Sequence, residues 1–208
     1  MTTIEIPKGY ENVLLTAFIL SLECVLIGFF VAGRARGKIF SKQFMEENFG
    51  EEHKKAFNKE IGRGGYPDVG SGYYSSKLNY ADWFHFNNAQ RAHMNFVEML
   101  TPQVVFLLIA GLQCSCFATY IGIAMIVGRL LYALGYAGIG PKGRSIGVLL
   151  NDLALLASLY LCISYFCKVI KCCSGETNAE VPPQSPELWS IHRLNLLNYK
   201  MYNVIDEC

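Results

Sequence analysis

The sequence predicts an all-α membrane protein, a bundle of four transmembrane helices. Of its 208 residues, 52% are hydrophobic and only 17% are charged, which is too apolar for an ordinary soluble domain. Four apolar runs each reach the roughly 20 residues that a helix needs to cross a bilayer. The formal net charge of +1 is too balanced for a nucleic-acid-binding protein, so no nucleic-acid partner is expected.

The apolar runs place the predicted spans at Asn12–Gly33, about Phe84–Leu112, Phe117–Tyr136 and Ile146–Ile170. The first run is too long for a cleaved signal peptide, and no basic segment precedes it. The connections among the last three runs are short, which predicts antiparallel neighbours in a four-helix bundle.

The predicted bundle occupies residues 1–173 and is interrupted by a long loop at 39–80. Within that loop, Lys42–Glu60 has the composition of a short, charged surface helix. The loop and the turn before the last span carry most of the basic residues near span ends, so both are expected to face the cytosol. The tail, residues 174–208, contains an apolar stretch and is expected to pack on the bundle or on a partner.

One stripe of the second span is polar. Arg91, Asn95 and Glu98 are spaced i, i+4 and i+7, which puts them on the same side of a helix. His93 lies in the same span. A charge at the centre of a bilayer costs roughly 2.5–3.5 kcal/mol on insertion scales, so an ionisable residue there usually serves a function.

The third span carries a matching stripe. Arg129, Tyr132 and Tyr136 are spaced i, i+3 and i+7, and Arg144 follows in the next turn, while Arg36 ends the first span. Arginine binds carboxylates through paired donors, and a cation near a thiol stabilises the thiolate. Together these groups suit a small ligand that has carboxylates, an ammonium group and a thiol.

A purely structural interpretation of these polar residues remains open. Arg91 and Glu98 would then pair to make their burial tolerable, and the tyrosines would be interfacial belt residues. Glu23 is expected to pair with Arg129, and Asp152 to cap a helix or to bridge two helices. Neither acid is assigned to catalysis.

The eight cysteines predict neither a disulfide scaffold nor a metal site. Cys24 and Cys162 fall inside apolar spans, where a free thiol packs as a small hydrophobic group. The other cysteines lack the paired spacing with histidines that zinc sites use.

Two of these segments resemble signatures of the MAPEG family, the membrane-associated proteins in eicosanoid and glutathione metabolism. Gln90–Glu98 is similar to the second-helix signature, and Val127–Tyr136 to the third-helix segment, most closely in the branch of microsomal glutathione S-transferase type 3. Tyr10–Thr16 and the turn at Arg144–Gly147 add to the likeness, which covers roughly residues 8–40 and 78–173.

The resemblance implies a left-handed four-helix bundle that assembles as a homotrimer. It also implies glutathione as a co-substrate, bound between adjacent subunits near the cytosolic face. Arg144 falls near the arginine that stabilises the thiolate and is the expected catalytic residue. The expected glutathione-binding residues are Arg36, Arg91, His93, Asn95, Glu98, Tyr132 and Tyr136.

The chain also departs from the family pattern. Met99 stands where several relatives have a tyrosine, and Gly37 replaces a second basic residue of leukotriene-forming members. The insertion at 41–77 and the tail beyond Ser174 have no recognised counterpart. These differences weaken the case for leukotriene synthesis and leave room for another role.

Two functions follow as hypotheses. The first is an integral-membrane glutathione transferase or peroxidase that acts on lipophilic electrophiles, with leukotriene C4 synthase-like activity as a narrower variant. The alternative is a non-catalytic structural or accessory subunit of a larger membrane complex. The expected location is the endoplasmic reticulum membrane, with a mitochondrial membrane second. A channel or transporter is disfavoured because broken-helix and repeat signals are lacking.

Overall fold

A computed structural model describes residues 6–173, with side chains described for residues 6–170. The helices are α1 (Tyr10–Ile27), α2 (Arg34–Ile39), α3 (Lys42–Phe57), α4 (Tyr80–Gln113), α5 (Ser115–Ile139) and α6 (Ser145–Cys173). A π-helical segment, Gly28–Gly33, joins α1 to α2, and a short 3-10 turn, Ser75–Lys77, precedes α4. The predicted packing of the tail at 174–208 lies outside the described residues.

The prediction of an all-α membrane protein is confirmed. Four helical stretches are long and apolar enough to cross a membrane, and the described part of the chain contains no strand. Their bounds are Tyr10–Ile39, Tyr80–Gln113, Ser115–Ile139 and Ser145–Ile170.

The second span begins at Tyr80, before the predicted start near Phe84, because a capping residue extends it. The side chain of Asn79 accepts a hydrogen bond from the Asp82 backbone N–H at 2.9 Å, which satisfies one of the free donors of the first turn. The helix therefore starts in the polar residues that precede its apolar run.

All four spans contribute to the main core. Its buried side chains include Leu20 of α1, Phe96 and Leu107 of α4, Met125 of α5 and Leu161 of α6. Many apolar side chains on the outer faces are exposed, as a bilayer-facing surface requires.

Two glycines allow α5 and α6 to approach closely. A side-chain carbon on Gly147 would lie 2.4 Å from the Tyr132 backbone nitrogen, and one on Gly128 would lie 2.5 Å from Asn151 Nδ2. Small residues at membrane helix crossings permit such backbone contact. The crossing therefore fixes where α6 presents its polar side chains to α5.

The inserted segment between α2 and α4 packs as a compact cap with its own core. Phe40, Met45, Phe49 and Ile61 are buried there against Phe86 of α4. The helix predicted from Lys42 is present as α3 and ends at Phe57, because Asn58 adopts a left-handed conformation with φ of 52°.

Asp68 organises the loop that follows α3. Its carboxylate accepts hydrogen bonds from the backbone N–H groups of Gly70 (2.8 Å), Gly72 (3.0 Å) and Ser75 (2.6 Å), and from Ser75 Oγ (2.7 Å). Burial alone raises the pKa of this carboxyl, but the four hydrogen bonds outweigh it and hold the pKa below its usual range.

Candidate functional site

A cavity of about 220 Å³ opens between α4, α5 and α6, towards the end of the bundle where α5 stops and α6 starts. It brings together three of the predicted site residues, Asn95, Tyr132 and Arg144. The full lining is Asn95, Met99, Arg129, Tyr132, Arg144, Val148, Asn151 and Asp152. A guanidinium, a phenol, an amide and a carboxylate thus share one small volume.

Arg144 lies over the ring of Tyr136, with 5.3 Å between its Cζ and the ring centroid. Tyr136 in turn packs against Tyr132, with ring centroids 5.7 Å apart, and both tyrosines are buried. A cation at this distance from an aromatic face is attracted to the ring. The contact holds the Arg144 side chain towards the cavity, although it is exposed to solvent.

Arg129 is the most deeply buried cation of the site, at 3% exposed. Its Nε donates to Gln103 Oε1 at 3.0 Å, and its Nη1 donates to Asn95 Oδ1 at 2.9 Å. Its Cζ also lies 4.9 Å from the centre of the Phe96 ring. Two amide oxygens of α4 and an aromatic face therefore hold this guanidinium.

Glu23 and Arg129 are near enough to interact electrostatically, but they do not form the predicted ion pair. Both carboxylate oxygens of Glu23 are buried and have no hydrogen-bond partner in the described part of the chain. Among the residues that the structure describes, no ion pair joins Glu23 to Arg129. Arg129 donates its hydrogen bonds to the amides of α4 instead, and the sequence did not predict those partners.

Arg91 and Glu98 lie on the same stripe as Asn95, but they are exposed and do not line the cavity. The interpretation that they pair with each other is also wrong, since no ion pair joins them. Glu98 comes seven positions after Arg91, about 10 Å further along the helix axis, beyond the three- or four-residue spacing at which helical side chains are neighbours.

His93 faces α1 and does not line the cavity. A side-chain carbon on Gly28, where the π-helical segment begins, would lie 2.7 Å from His93 Nε2, so the ring packs directly on the backbone of that segment. Single π-helical turns often mark functional positions. Here the turn accommodates an imidazole that is half-buried between two spans.

Arg36 does not line this cavity, and its expected contact with glutathione between subunits stays a prediction. Its side chain is buried beneath the inserted segment, where Nη1 donates to the Gly64 carbonyl at 3.0 Å. Its Cζ lies 4.3 Å from the Tyr66 ring centre and 5.1 Å from that of Phe86. The inserted segment supplies two of these partners, Gly64 and Tyr66, so within one chain Arg36 contacts that segment.

Sequence reasoning missed Gln103 and Asn151 as site residues. Both are buried amides inside apolar runs, and Gln103 Nε2 donates to Asn151 Oδ1 at 2.9 Å. Their polarity at membrane depth is the signal that would have found them. Asp152, expected to be a cap or bridge, lines the cavity. Among the residues that the structure describes, no three His, Cys, Asp or Glu side chains group as a metal site.

A membrane-spanning bundle of apolar helices with a polar, arginine-containing cavity at one end defines a class of small integral membrane proteins. The chain matches the model of the MAPEG family over residues 13–164, which is more than half of its length. The chain therefore belongs to the MAPEG family, which includes glutathione transferases and related proteins. The narrower likeness to microsomal glutathione S-transferase type 3 stays a prediction.

Proposed function

We propose that this protein is an integral-membrane enzyme that uses the thiolate of glutathione to conjugate or reduce lipophilic electrophiles. The observation that carries the proposal is that Asn95, Tyr132 and Arg144 line the same cavity. The sequence predicted Asn95 and Tyr132 as glutathione-binding residues and Arg144 as the catalytic residue. Family membership supports it at the coarser level of glutathione-related membrane proteins.

Arg144 is the proposed catalytic residue. Arg144 lines the cavity, and a cation beside a thiol lowers the pKa of the thiol and favours the nucleophilic thiolate. With an epoxide, a C–S bond forms as a C–O bond opens, and the released oxygen takes up a proton. With a hydroperoxide, the O–O bond breaks, and two glutathiones become a disulfide as the alcohol and water are formed.

The cavity is small for a whole tripeptide. Its volume of about 220 Å³ lies below the roughly 300–1,000 Å³ of common ligand pockets. The rest of glutathione would extend along the exposed stripe of Arg91 and Glu98, where a carboxylate would meet the arginine and the ammonium group would meet an acid. Asp152, inside the cavity, is a second candidate for the ammonium group.

A neighbouring copy of the chain would cover this stripe. Arg91 and Glu98 are exposed on a membrane-spanning helix, and each charge facing lipid costs roughly 2.5–3.5 kcal/mol near mid-bilayer. A homotrimer, with glutathione between subunits and the lipophilic substrate entering from the bilayer, would relieve that cost. We place the enzyme in the endoplasmic reticulum membrane, with a mitochondrial membrane as second choice.

The test is turnover by the purified full chain in lipid nanodiscs, supplied with glutathione and either a fatty-acid epoxide or a fatty-acid hydroperoxide. Arg144→Gln is expected to lower kcat about a hundredfold or more. Lys142→Gln, a charge change two residues away on the exposed turn, is the matched control and keeps wild-type rates. Wild-type protein without conjugation or peroxide reduction would overturn the proposal.

A second candidate function is an accessory subunit of a larger membrane complex. The inserted segment supports it, because Phe57 and Tyr66 are 65% and 71% exposed on a cap with its own core. The mass of the assembly extracted from its native membrane separates the two candidates. A homotrimer favours the enzyme, whereas a single copy among unrelated chains favours the subunit.

A further inference from the structure

We propose that Arg129, Gln103 and Asn151 are positioning residues that turn the side-chain N–H groups of Asn95 towards the ligand. The inference deepens the proposed function and rests on it. It concerns residues that touch no reacting atom, and it explains why three buried polar side chains are kept inside membrane-spanning helices.

The four residues form one chain of hydrogen bonds across three helices. Arg129 of α5 donates through Nη1 to Asn95 Oδ1 at 2.9 Å and through Nε to Gln103 Oε1 at 3.0 Å. Gln103 Nε2 donates to Asn151 Oδ1 at 2.9 Å, and Asn151 Nδ2 donates to the Gly147 carbonyl at 2.8 Å. Each link has ordinary hydrogen-bond length.

Arg129 fixes the direction of every link. A guanidinium has five donors and no acceptor, so only the oxygen of an amide can face it. Asn95 and Gln103 must therefore present their oxygens to Arg129. Gln103 then points its nitrogen at Asn151, which presents its own oxygen and directs its nitrogen to the Gly147 carbonyl. One arginine sets the orientation of three amides.

The consequence for the ligand lies at Asn95. With its oxygen bound to Arg129, this amide turns its nitrogen elsewhere, and Nδ2 makes no hydrogen bond to any described residue. Asn95 also lines the cavity. The site thus offers two donors at this point and selects a ligand acceptor, a carboxylate or a peptide carbonyl. The reversed amide would select an ammonium group instead.

Burial makes the arrangement rigid. Arg129, Gln103 and Asn151 are 3%, 1% and 5% exposed, and hydrogen bonds are stronger in such low-dielectric surroundings. Breaking one link leaves a buried group unpaired, so the alternative orientations are costly. The close contact of Gly128 with Asn151 keeps Asn151, the α6 member of this series of hydrogen bonds, in place.

The test measures the Kd and KM for glutathione, kcat, and the melting temperature of the full chain in nanodiscs. Asn95→Asp keeps an acceptor for Arg129 but replaces the ligand-facing donors by an acceptor. It is expected to melt at or above the wild-type temperature, while its Kd rises about tenfold or more. If Asn95 only stabilised the fold, Asn95→Asp would keep both the wild-type melting temperature and the wild-type Kd for glutathione.

A second pair of variants tests whether the hydrogen bonds from Arg129 orient Asn95. Gln103→Met removes the acceptor for Arg129 and is expected to raise Kd and KM about tenfold with little change in kcat. Gln103→Glu restores that acceptor and is expected to recover most of the lost affinity. Ser158→Ala is the control. It removes a buried hydroxyl of α6 that takes no part in these hydrogen bonds, and it should keep the wild-type Kd.

The inference is overturned if Asn95→Asp binds glutathione as tightly as wild type, or if Gln103→Glu and Gln103→Met lose the same affinity. Should Gln103→Met fail to fold, Asn95→Asp decides alone. Wild-type protein that binds no glutathione would overturn the proposed function and the inference together. Wild-type binding that the variants leave untouched would overturn the inference only.

Discussion

Gly147 of α6 approaches the backbone of Tyr132 on α5 so closely that a side-chain carbon on the glycine would lie 2.4 Å from the Tyr132 nitrogen. The contact places two cavity residues. Asn151 comes one turn after Gly147 on the same side of α6, and Arg144 comes three residues before Gly147, in the turn that leads into α6; both line the cavity. The helix crossing and the cavity are therefore one structural feature.

Gly147→Ala is expected to destabilise the protein by about 2–3 kcal/mol, because the new methyl group would overlap backbone atoms that cannot move aside. Thermal unfolding in detergent measures the change. Gly37→Ala on α2 is the control, since nothing lies within 4 Å of its added carbon. That variant should gain about 0.5–1 kcal/mol from helix propensity. A Gly147→Ala protein as stable as wild type would refute the close crossing.

Arg36→Ala is expected to loosen the inserted segment, because it removes the hydrogen bond to Gly64 and the aromatic contacts with Tyr66 and Phe86. The loss is about 2–4 kcal/mol of local stability. Limited trypsin digestion at Arg63 reports it as faster cleavage. Lys38→Ala, exposed on the same helix, should leave the cleavage rate unchanged.

The same Arg36→Ala protein separates the two roles considered for this arginine. Because its guanidinium is held under the inserted segment, the glutathione affinity should stay within about threefold of wild type. A loss of affinity without faster digestion would return Arg36 to the binding site.

Glu23→Gln is expected to leave the melting temperature unchanged or slightly raised. The carboxylate oxygens of Glu23 are buried and unpaired among the described residues, so removing the charge breaks no bond. Breaking a buried ion pair would instead cost about 3–5 kcal/mol. Glu11→Gln, at the exposed start of α1, is the control. A large drop in melting temperature in Glu23→Gln but not in Glu11→Gln would show that Glu23 does form an ion pair with Arg129.

The loop around Asp68 is expected to open at acidic pH. Its pKa is lowered in the folded protein, so its stabilising contribution is complete above the ordinary aspartate pKa of about 3.9 and is lost as pH falls through the lower folded value. Trp83 reports the change, since its Nε1 donates to the Gly70 carbonyl at 3.0 Å. Fluorescence titration in a Trp189→Phe background follows this signal alone.

Asp68→Asn supplies the control for that titration. The neutral amide has no acid transition of its own and makes fewer of the four hydrogen bonds, so the loop should lose about 2 kcal/mol already at neutral pH. An acid midpoint identical in Asp68→Asn and the parent protein would show that another group titrates.

The sequence was sufficient to predict the four membrane-spanning helices, because the thickness of the bilayer sets the length of the apolar run that a spanning helix needs. It also brought Asn95, Tyr132 and Arg144 into one predicted site, and the structure places all three around the same cavity. Helical spacing reveals which side chains share a face, but it does not reveal which helix that face meets. For this reason the hydrogen bonds from Arg129 to Asn95 and Gln103 were not predicted, and an ion pair with Glu23 was expected in their place.

The contacts of Arg36 within its own chain could not be predicted from the sequence for a different reason. Its partners, Gly64 and Tyr66, belong to the inserted segment, whose fold depends on contacts distant in sequence, such as those of Phe40 with Phe86. Neither apolar periodicity nor a likeness to relatives without the insertion describes such a segment. Gln103 and Asn151 were missed because neither belongs to the two stripes that helical spacing identified.

The most direct test of the account is a titration of glutathione into the purified full chain, followed by the ultraviolet absorbance of the thiolate. We expect a saturable thiolate signal at neutral pH that is lost in Arg144→Gln and kept in Lys142→Gln. The same tripeptide with a methyl group in place of the thiol should compete for binding without giving the signal. Absence of a saturable thiolate signal in the wild-type protein would contradict the central claim that this cavity binds and activates glutathione.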